Sequence, residues 1–177
     1  SYQVSTEDAL RNAGRLLKVG LAEAVKIEGG TAYAETVQRL VAAGIPVMCH
    51  LGLTPQSIHQ FGSYKARGQE VDERSEILND ARSLEQAGAF ALVLEKVPAE
   101  LGAELQKALS IPIIGIGAGP HTDGQILVTH DMLGICTRFS PRFVRRYASM
   151  ADDMVEAFER YLGDVRAGEF PTDDESY

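Results

Sequence analysis

Short apolar runs alternate along the chain with longer amphipathic stretches, and glycines mark the changeovers. In the first 20 residues Leu10, Ala13, Leu16 and Leu17 form one apolar stripe behind the capping signal Ser5-Thr6-Glu7-Asp8, which predicts an amphipathic helix closed by Gly20. The run 24–28 (AVKIE) predicts a strand ended by Gly29-Gly30, and a helical pattern follows from about Tyr33 to Ala43. A second strand is expected at 45–51, then a long polar segment, then a helix from about Val71 to Ala87. The run 91–95 predicts a third strand, Pro98 the first turn of a helix, and 111–116 a fourth strand. Beyond it, 126–128 and 133–135 are candidate extended pieces, 141–162 reads as a long closing helix, and 163–177 is an acidic tail.

Several of these strands are continuously apolar rather than alternating, as expected when helices cover a parallel sheet or surround a barrel. Right-handed crossovers then bring every strand's C-terminal end to one rim. Four strands and a candidate fifth are too few for an eight-stranded barrel. The pattern therefore leaves two options, an open sheet or a chain without the beginning of a barrel of roughly 250 residues.

Composition narrows the class. The 177 residues and 45% hydrophobic content suit one compact domain spanning 1–177. Net charge is −8 and Arg145-Arg146 is the longest basic cluster, so nucleic acid is not an expected partner. The longest apolar run, 111–116, falls far short of the roughly 20 residues of a membrane crossing. Two cysteines, Cys49 and Cys136, show no metal-finger spacing and read as buried small residues of a cytoplasmic protein.

The candidate chemistry sits at strand ends. Glu28 follows Val25 and Ile27 and precedes two glycines, where backbone can approach a ligand closely, and Lys26 shares its face of the strand. A lysine and a carboxylate on the inward face of a buried strand are costly unless paired or in use. The pair is either a metal ligand beside an anion-binding ammonium or a structural ion pair. Glu95 ends an apolar run whose surroundings favour a raised carboxyl pKa and general acid–base work, or else it is an acid at the start of the following helix. His50 could donate to a developing oxyanion, bind a metal, or be a satisfied core residue. His59, His121 and His130 have no zinc spacing. The glycines of 115–119 suit a phosphate cradle less well than a tight turn, and the loop bearing Thr54, Ser57 and Tyr64 is long enough to contact substrate.

Taken in order, the segments 25–30 (VKIEGG), 50–57 (HLGLTPQS), 92–98 (LVLEKVP), 114–119 (IGIGAG), 123–128 (DGQILV), 130–134 (HDMLG) and 143–147 (FVRRY) resemble the ketopantoate hydroxymethyltransferase family. The likeness runs along essentially the whole chain. It implies a (β/α)8 TIM barrel whose first three strands are absent from this chain, leaving the C-terminal five-eighths with a closing helix and acidic tail. It also implies transfer of a hydroxymethyl group from 5,10-methylenetetrahydrofolate to 3-methyl-2-oxobutanoate, giving 2-dehydropantoate for pantothenate synthesis, with Mg2+. Under this resemblance Glu28 is a magnesium ligand, Lys26 contacts the 2-oxo acid, Glu95 is the proton acceptor, and His50 supports the oxyanion side or the ligand's position. The family's two aspartate ligands have no counterpart here, so the chain alone is expected to be inactive unless it pairs with a separate N-terminal segment. Homo-oligomers, decamers in the family, are implied as well.

Departures are local. Cys49 stands where a smaller residue usually precedes the histidine, Ser63 replaces a glycine in the long loop, and Glu175-Ser176-Tyr177 replaces the family's usual ending. None falls on Lys26, Glu28 or Glu95. Two other readings remain at this level: a different metal-dependent 2-oxo acid lyase or mutase barrel, and an inactive truncated barrel serving as an assembly subunit.

Overall fold

The computed structural model describes residues 2–138 and 140–177. The chain packs as two compact units, one extending to Ile126 and the other comprising Leu127–Tyr177. In the first, α1 (Thr6–Lys18) precedes β1 (Val25–Glu28), α2 (Ala34–Ala42), β2 (Val47–Gly52), a short α3 (Ile58–Phe61) and α4 (Val71–Gln86). Then come β3 (Ala91–Glu95), α5 (Ala99–Ala108), β4 (Ile113–Ile116) and β5 (Gly124–Gln125). The five strands form one sheet in the order β1-β2-β3-β4-β5, every neighbour parallel. Sequential parallel order, with helices between the first four strands, is the β/α arrangement that the apolar alternation predicts, and it is the order of consecutive strands in a barrel wall.

The two faces of the sheet have different company. Val25, Ile27, Val47, Cys49, Leu51, Leu92, Leu94 and Ile113 join Val37, Leu40, Ile77, Ala81, Leu84, Leu101 and Leu105 of α2, α4 and α5 in one buried apolar cluster. Each large side chain fully buried there contributes roughly 1.5–3 kcal/mol. Because side chains alternate along a strand, the positions between them face the other way. That second face carries Lys26, Glu28, Met48, His50, Ala91, Val93, Glu95, Ile114 and Ile116, with Glu28 paired to His50 and Gly52 to Glu95 in register.

Caps and charges explain where the first helix starts and stops. The Ser5 hydroxyl accepts the Asp8 amide at 3.1 Å, acidic Glu7 and Asp8 sit in the first turn, and Arg15 and Lys18 in the last. Pro98 lies immediately before α5 rather than within its first turn. On β1, the amides of Val25 and Gly29 donate to Pro46 and His50 on the β2 side. The alternate residues Lys26 and Glu28 therefore direct their backbone N–H and C=O groups to the other edge.

The second unit holds α6 (Thr129–Met132) and α7 (Met150–Ala167). Neither candidate extended piece is a strand: 126–128 is irregular, and 133–135 is a turn continuing from α6. The closing helix begins at Met150, not near Pro141. Arg142, Arg145 and Arg146 would oppose the dipole of a helix starting there, whereas Asp152 and Asp153 favour a start at Met150. Gly168 ends α7 in the left-handed region, and Tyr161 meets Phe170 edge-on with ring centroids 5.5 Å apart. Cys136 is only half-buried, in contrast to the fully buried Cys49, so the expectation of two buried thiols holds for Cys49 alone.

Candidate functional site

Four side chains from three adjacent strands converge at the C-terminal rim, all on the face turned away from the helices. Lys26 Nζ lies 2.9 Å from His50 Nδ1 and 3.4 Å from Glu28 Oε1. His50 Nδ1 is 3.5 Å from Glu28 Oε1, and its Nε2 is 3.2 Å from Glu95 Oε2. The imidazole thus stands between the two carboxylates. An ammonium can only donate, so Nδ1 accepts from Lys26 and the ring proton sits on Nε2, facing Glu95. That nitrogen is within ion-pairing distance of Glu95 but outside hydrogen-bond alignment, and it is the one buried side-chain polar atom without a hydrogen-bond partner among the described residues.

Burial grades across the group. The His50 side chain is 4% exposed, Glu28 10%, Glu95 18% and Lys26 43%. The ammonium is therefore the member that solvent or an incoming anion reaches most readily. Glu28 is held on both sides: its Oε2 accepts the Gln56 amide at 3.0 Å, while its own N–H donates to the Tyr2 hydroxyl at 3.2 Å and its C=O accepts from that hydroxyl at 2.9 Å. Burial is the main cause that pushes the Tyr2 phenol above its ordinary pKa of 10.0.

The loop after β2 is fastened to the end of β3. Leu53 donates its amide to the Glu95 carbonyl at 2.9 Å, and the Arg67 amide donates to the Lys96 carbonyl at 3.0 Å. Lys96, directly after Glu95, adopts φ +50°, and its amide donates to the Ile116 carbonyl at 2.8 Å while its ammonium bonds the Tyr64 carbonyl. A left-handed lysine costs on the order of 1 kcal/mol, which this turn sustains beside Glu95. Arg67 lies 4.0 Å over the Phe61 ring and pairs with Glu73, so the loop's far end is tied to α4.

A cavity of about 440 Å3 lies beside this group rather than over it. It runs between 29–33, the loop after β2 and α4, with Leu51, Thr54, Phe61, Arg67 and Asp80 in its wall and none of the four convergent residues. Gly30 serves packing there: a Cβ would come within 1.9 Å of Asp80 Oδ2. The Asp80 carboxylate in turn accepts the Thr31 amide and hydroxyl at 2.8 and 2.6 Å. The glycine pair after Glu28 is thus accounted for by a neighbouring helix as well as by access to the strand end. Gly115 within β4 and Gly119 in the turn after it likewise pack against Thr122 and Ala99, respectively.

Lys26, Glu28, His50 and Glu95 are brought together, while His59, His121 and His130 are all exposed. Tyr2, Gln56 and Gly52 had no signal of their own in the sequence. Only the Thr54-Pro55 start of a helical turn hinted that an amide would be presented near Gln56. As a metal site the group is incomplete. Magnesium takes six oxygens in near-octahedral geometry, yet among the described residues no group of three or more His, Cys, Asp or Glu side chains is placed to hold a metal ion. Glu28 offers one carboxylate, and it already faces an ammonium and an amide.

A parallel β/α sheet of consecutive strands with two carboxylates, an imidazole and an ammonium gathered at the strand ends has the arrangement of the β/α-barrel class. The family model for ketopantoate hydroxymethyltransferase matches residues 1–173, and the chain belongs to that family. A 3-methyl-2-oxobutanoate hydroxymethyltransferase of Prosthecochloris aestuarii is 59% identical over all of this chain and 64% of its own length. Its counterpart in Chlorobaculum parvum is 56% identical over the same shares, and that of Salinibacter ruber 55% identical over all of this chain and 67% of its own. The chain thus spans slightly less than two thirds of the first two relatives. No helix among the described residues is long and apolar enough to cross a membrane.

Proposed function

We propose that this chain supplies the acid–base and anion-binding part of a site that transfers a hydroxymethyl group from 5,10-methylenetetrahydrofolate to 3-methyl-2-oxobutanoate, giving 2-dehydropantoate. The observation that carries this reading is the His50 imidazole, held with Nδ1 toward Glu28 and the accessible Lys26 ammonium and with Nε2 toward Glu95. Family membership and the names of the relatives support the substrate.

Lys26 neutralises the carboxylate of the 2-oxo acid, since it is the exposed cation of the group. Glu95 accepts the proton from the acid's third carbon, and the electron pair left there bonds to the donor's one-carbon unit. That unit's two C–N bonds break as a water supplies the hydroxyl oxygen, tetrahydrofolate leaves with the water's two protons, and the new alkoxide takes up the proton held by Glu95. His50, with Nε2 toward Glu95, keeps that carboxylate at the rim and fixes Lys26 through Nδ1. Where magnesium binds, Glu28 would be this chain's contribution to its ligands, and the metal would supply Lewis-acid polarisation of the substrate's keto oxygen. The same reading carries a cytoplasmic homo-oligomer that acts on small molecules.

The test is an assay for consumption of 3-methyl-2-oxobutanoate with methylenetetrahydrofolate and Mg2+, on this chain together with the N-terminal segment of a relative. Turnover that Lys26→Met and Glu95→Gln both suppress is the expected result. A folded complex that consumes no 2-oxo acid would sink the transfer reading in favour of an assembly role. Cleavage or rearrangement of another 2-oxo acid would favour a lyase or mutase.

A further inference from the structure

Glu28 differs from the other three site residues in how its backbone is held. The N–H and C=O of Glu28 point away from β2. Here one hydroxyl satisfies both groups: the Tyr2 phenol accepts from the Glu28 N–H at 3.2 Å and donates to the Glu28 C=O at 2.9 Å. A single side chain thereby bonds both backbone groups of this residue.

Tyr2 is itself braced. Its ring meets Tyr33 edge-on, centroids 5.2 Å apart, and Tyr33 closes the helical turn Thr31–Tyr33 that follows Gly29-Gly30. The phenol therefore holds the strand end from one side while the loop after β2, through the Gln56 amide on Oε2, holds the carboxylate from the other. Between these two grips, Oε1 is left facing Lys26 and His50.

We propose that Tyr2 is a positioning residue: its hydroxyl fixes the backbone of Glu28 and so sets the distance of Oε1 from Lys26 and His50. It touches neither substrate nor the reacting atoms. The consequence for turnover rests on the transfer reading above, whereas the consequence for Glu28 itself does not.

The variant that isolates the hydroxyl is Tyr2→Phe, which keeps the ring on Tyr33. Amide hydrogen exchange on the 177-residue chain should show the Glu28 amide exchanging about tenfold faster, the scale set by loss of one or two hydrogen bonds. Val25 and Gly29, bonded to β2, should exchange at the parental rate, with the melting temperature lowered by no more than about 2–4 °C. In the chain complemented with a relative's N-terminal segment, kcat/KM for the 2-oxo acid should fall about tenfold while the fold stays intact. Unchanged exchange at Glu28 overturns the proposal. So does faster exchange along all of β1 with a melting temperature lowered beyond that range, which is the mark of a merely structural tyrosine, and so does an unchanged kcat/KM in a complex whose parent turns over. If the parent complex consumes no 2-oxo acid, the transfer reading fails and the exchange pattern alone decides the role of Tyr2.

Discussion

Gly52 lies opposite Glu95 in the β2–β3 pairing, and a Cβ on Gly52 would come within 2.1 Å of the Glu95 carbonyl oxygen. Gly52 also has φ +86°, a conformation that side chains resist. Two independent penalties therefore meet at one position. Gly52→Ala should lower stability by about 2–4 kcal/mol in urea unfolding, and should displace the Glu95 end of β3. A change below about 0.5 kcal/mol would show that the two strand ends part without cost.

Glu95→Gln retains the shape of the side chain and removes its basicity. Exchange of the proton on the third carbon of 3-methyl-2-oxobutanoate into solvent, followed by NMR in the complemented chain, should slow by about 100-fold or more, with binding of the acid within about twofold. Exchange at the parental rate would remove Glu95 as the base.

The two thiols should separate cleanly. Burial pushes Cys49 up to about 12, and the thiolate is the reactive form. Cys136 is half-buried. A maleimide at pH 8 should therefore modify the native chain at Cys136 alone, and at both positions once the chain is unfolded, as read by peptide mass. Native modification of Cys49 would mean that the sheet opens on the labelling timescale.

Acid stability offers a check on a contact far from the site. Glu85 accepts from the Ser110 amide and hydroxyl at 2.6 and 2.7 Å, and the hydroxyl bond is the main cause that lowers its carboxyl below the ordinary 4.5. A carboxyl lowered in the folded state adds stability that is present above the unfolded value and is lost as pH falls through the folded one. Glu85→Gln should thus lose stability relative to the parent at pH 6–7, and the difference should shrink below about pH 4. Glu85 is largely solvent-screened, so the effect is small. Parallel stability curves at all pH values would deny the contact.

The first four strands and the four convergent residues were legible because each rests on local signals, whereas β5 at Gly124–Gln125 carries no apolar run and was missed. Apolar runs ended by glycine gave the strands, and period-two alternation put Lys26 and Glu28 on one face. The grips on Glu28 were not legible, since Tyr2 and Gln56 reach it from 26 and 28 positions away and only packing brings them there. The α7 boundary was misplaced because its apolar spacing continues back through the arginines, whose charge decides against a helix start. Gly30 shows a third kind of limit, for the Asp80 carboxylate that explains it arrives from α4.

Along β1 the residues alternate between two employments, Val25 and Ile27 in the helix-facing cluster and Lys26 and Glu28 in the polar group. Neighbouring letters of the sequence thus answer to different demands. A pairing slip of one residue between β1 and β2 would bury the ammonium and carboxylate among leucines and present valine and isoleucine to the ligand. Fidelity of strand register is therefore fidelity of chemistry, and a misregistered chain would lose its reactive groups and its core in the same event.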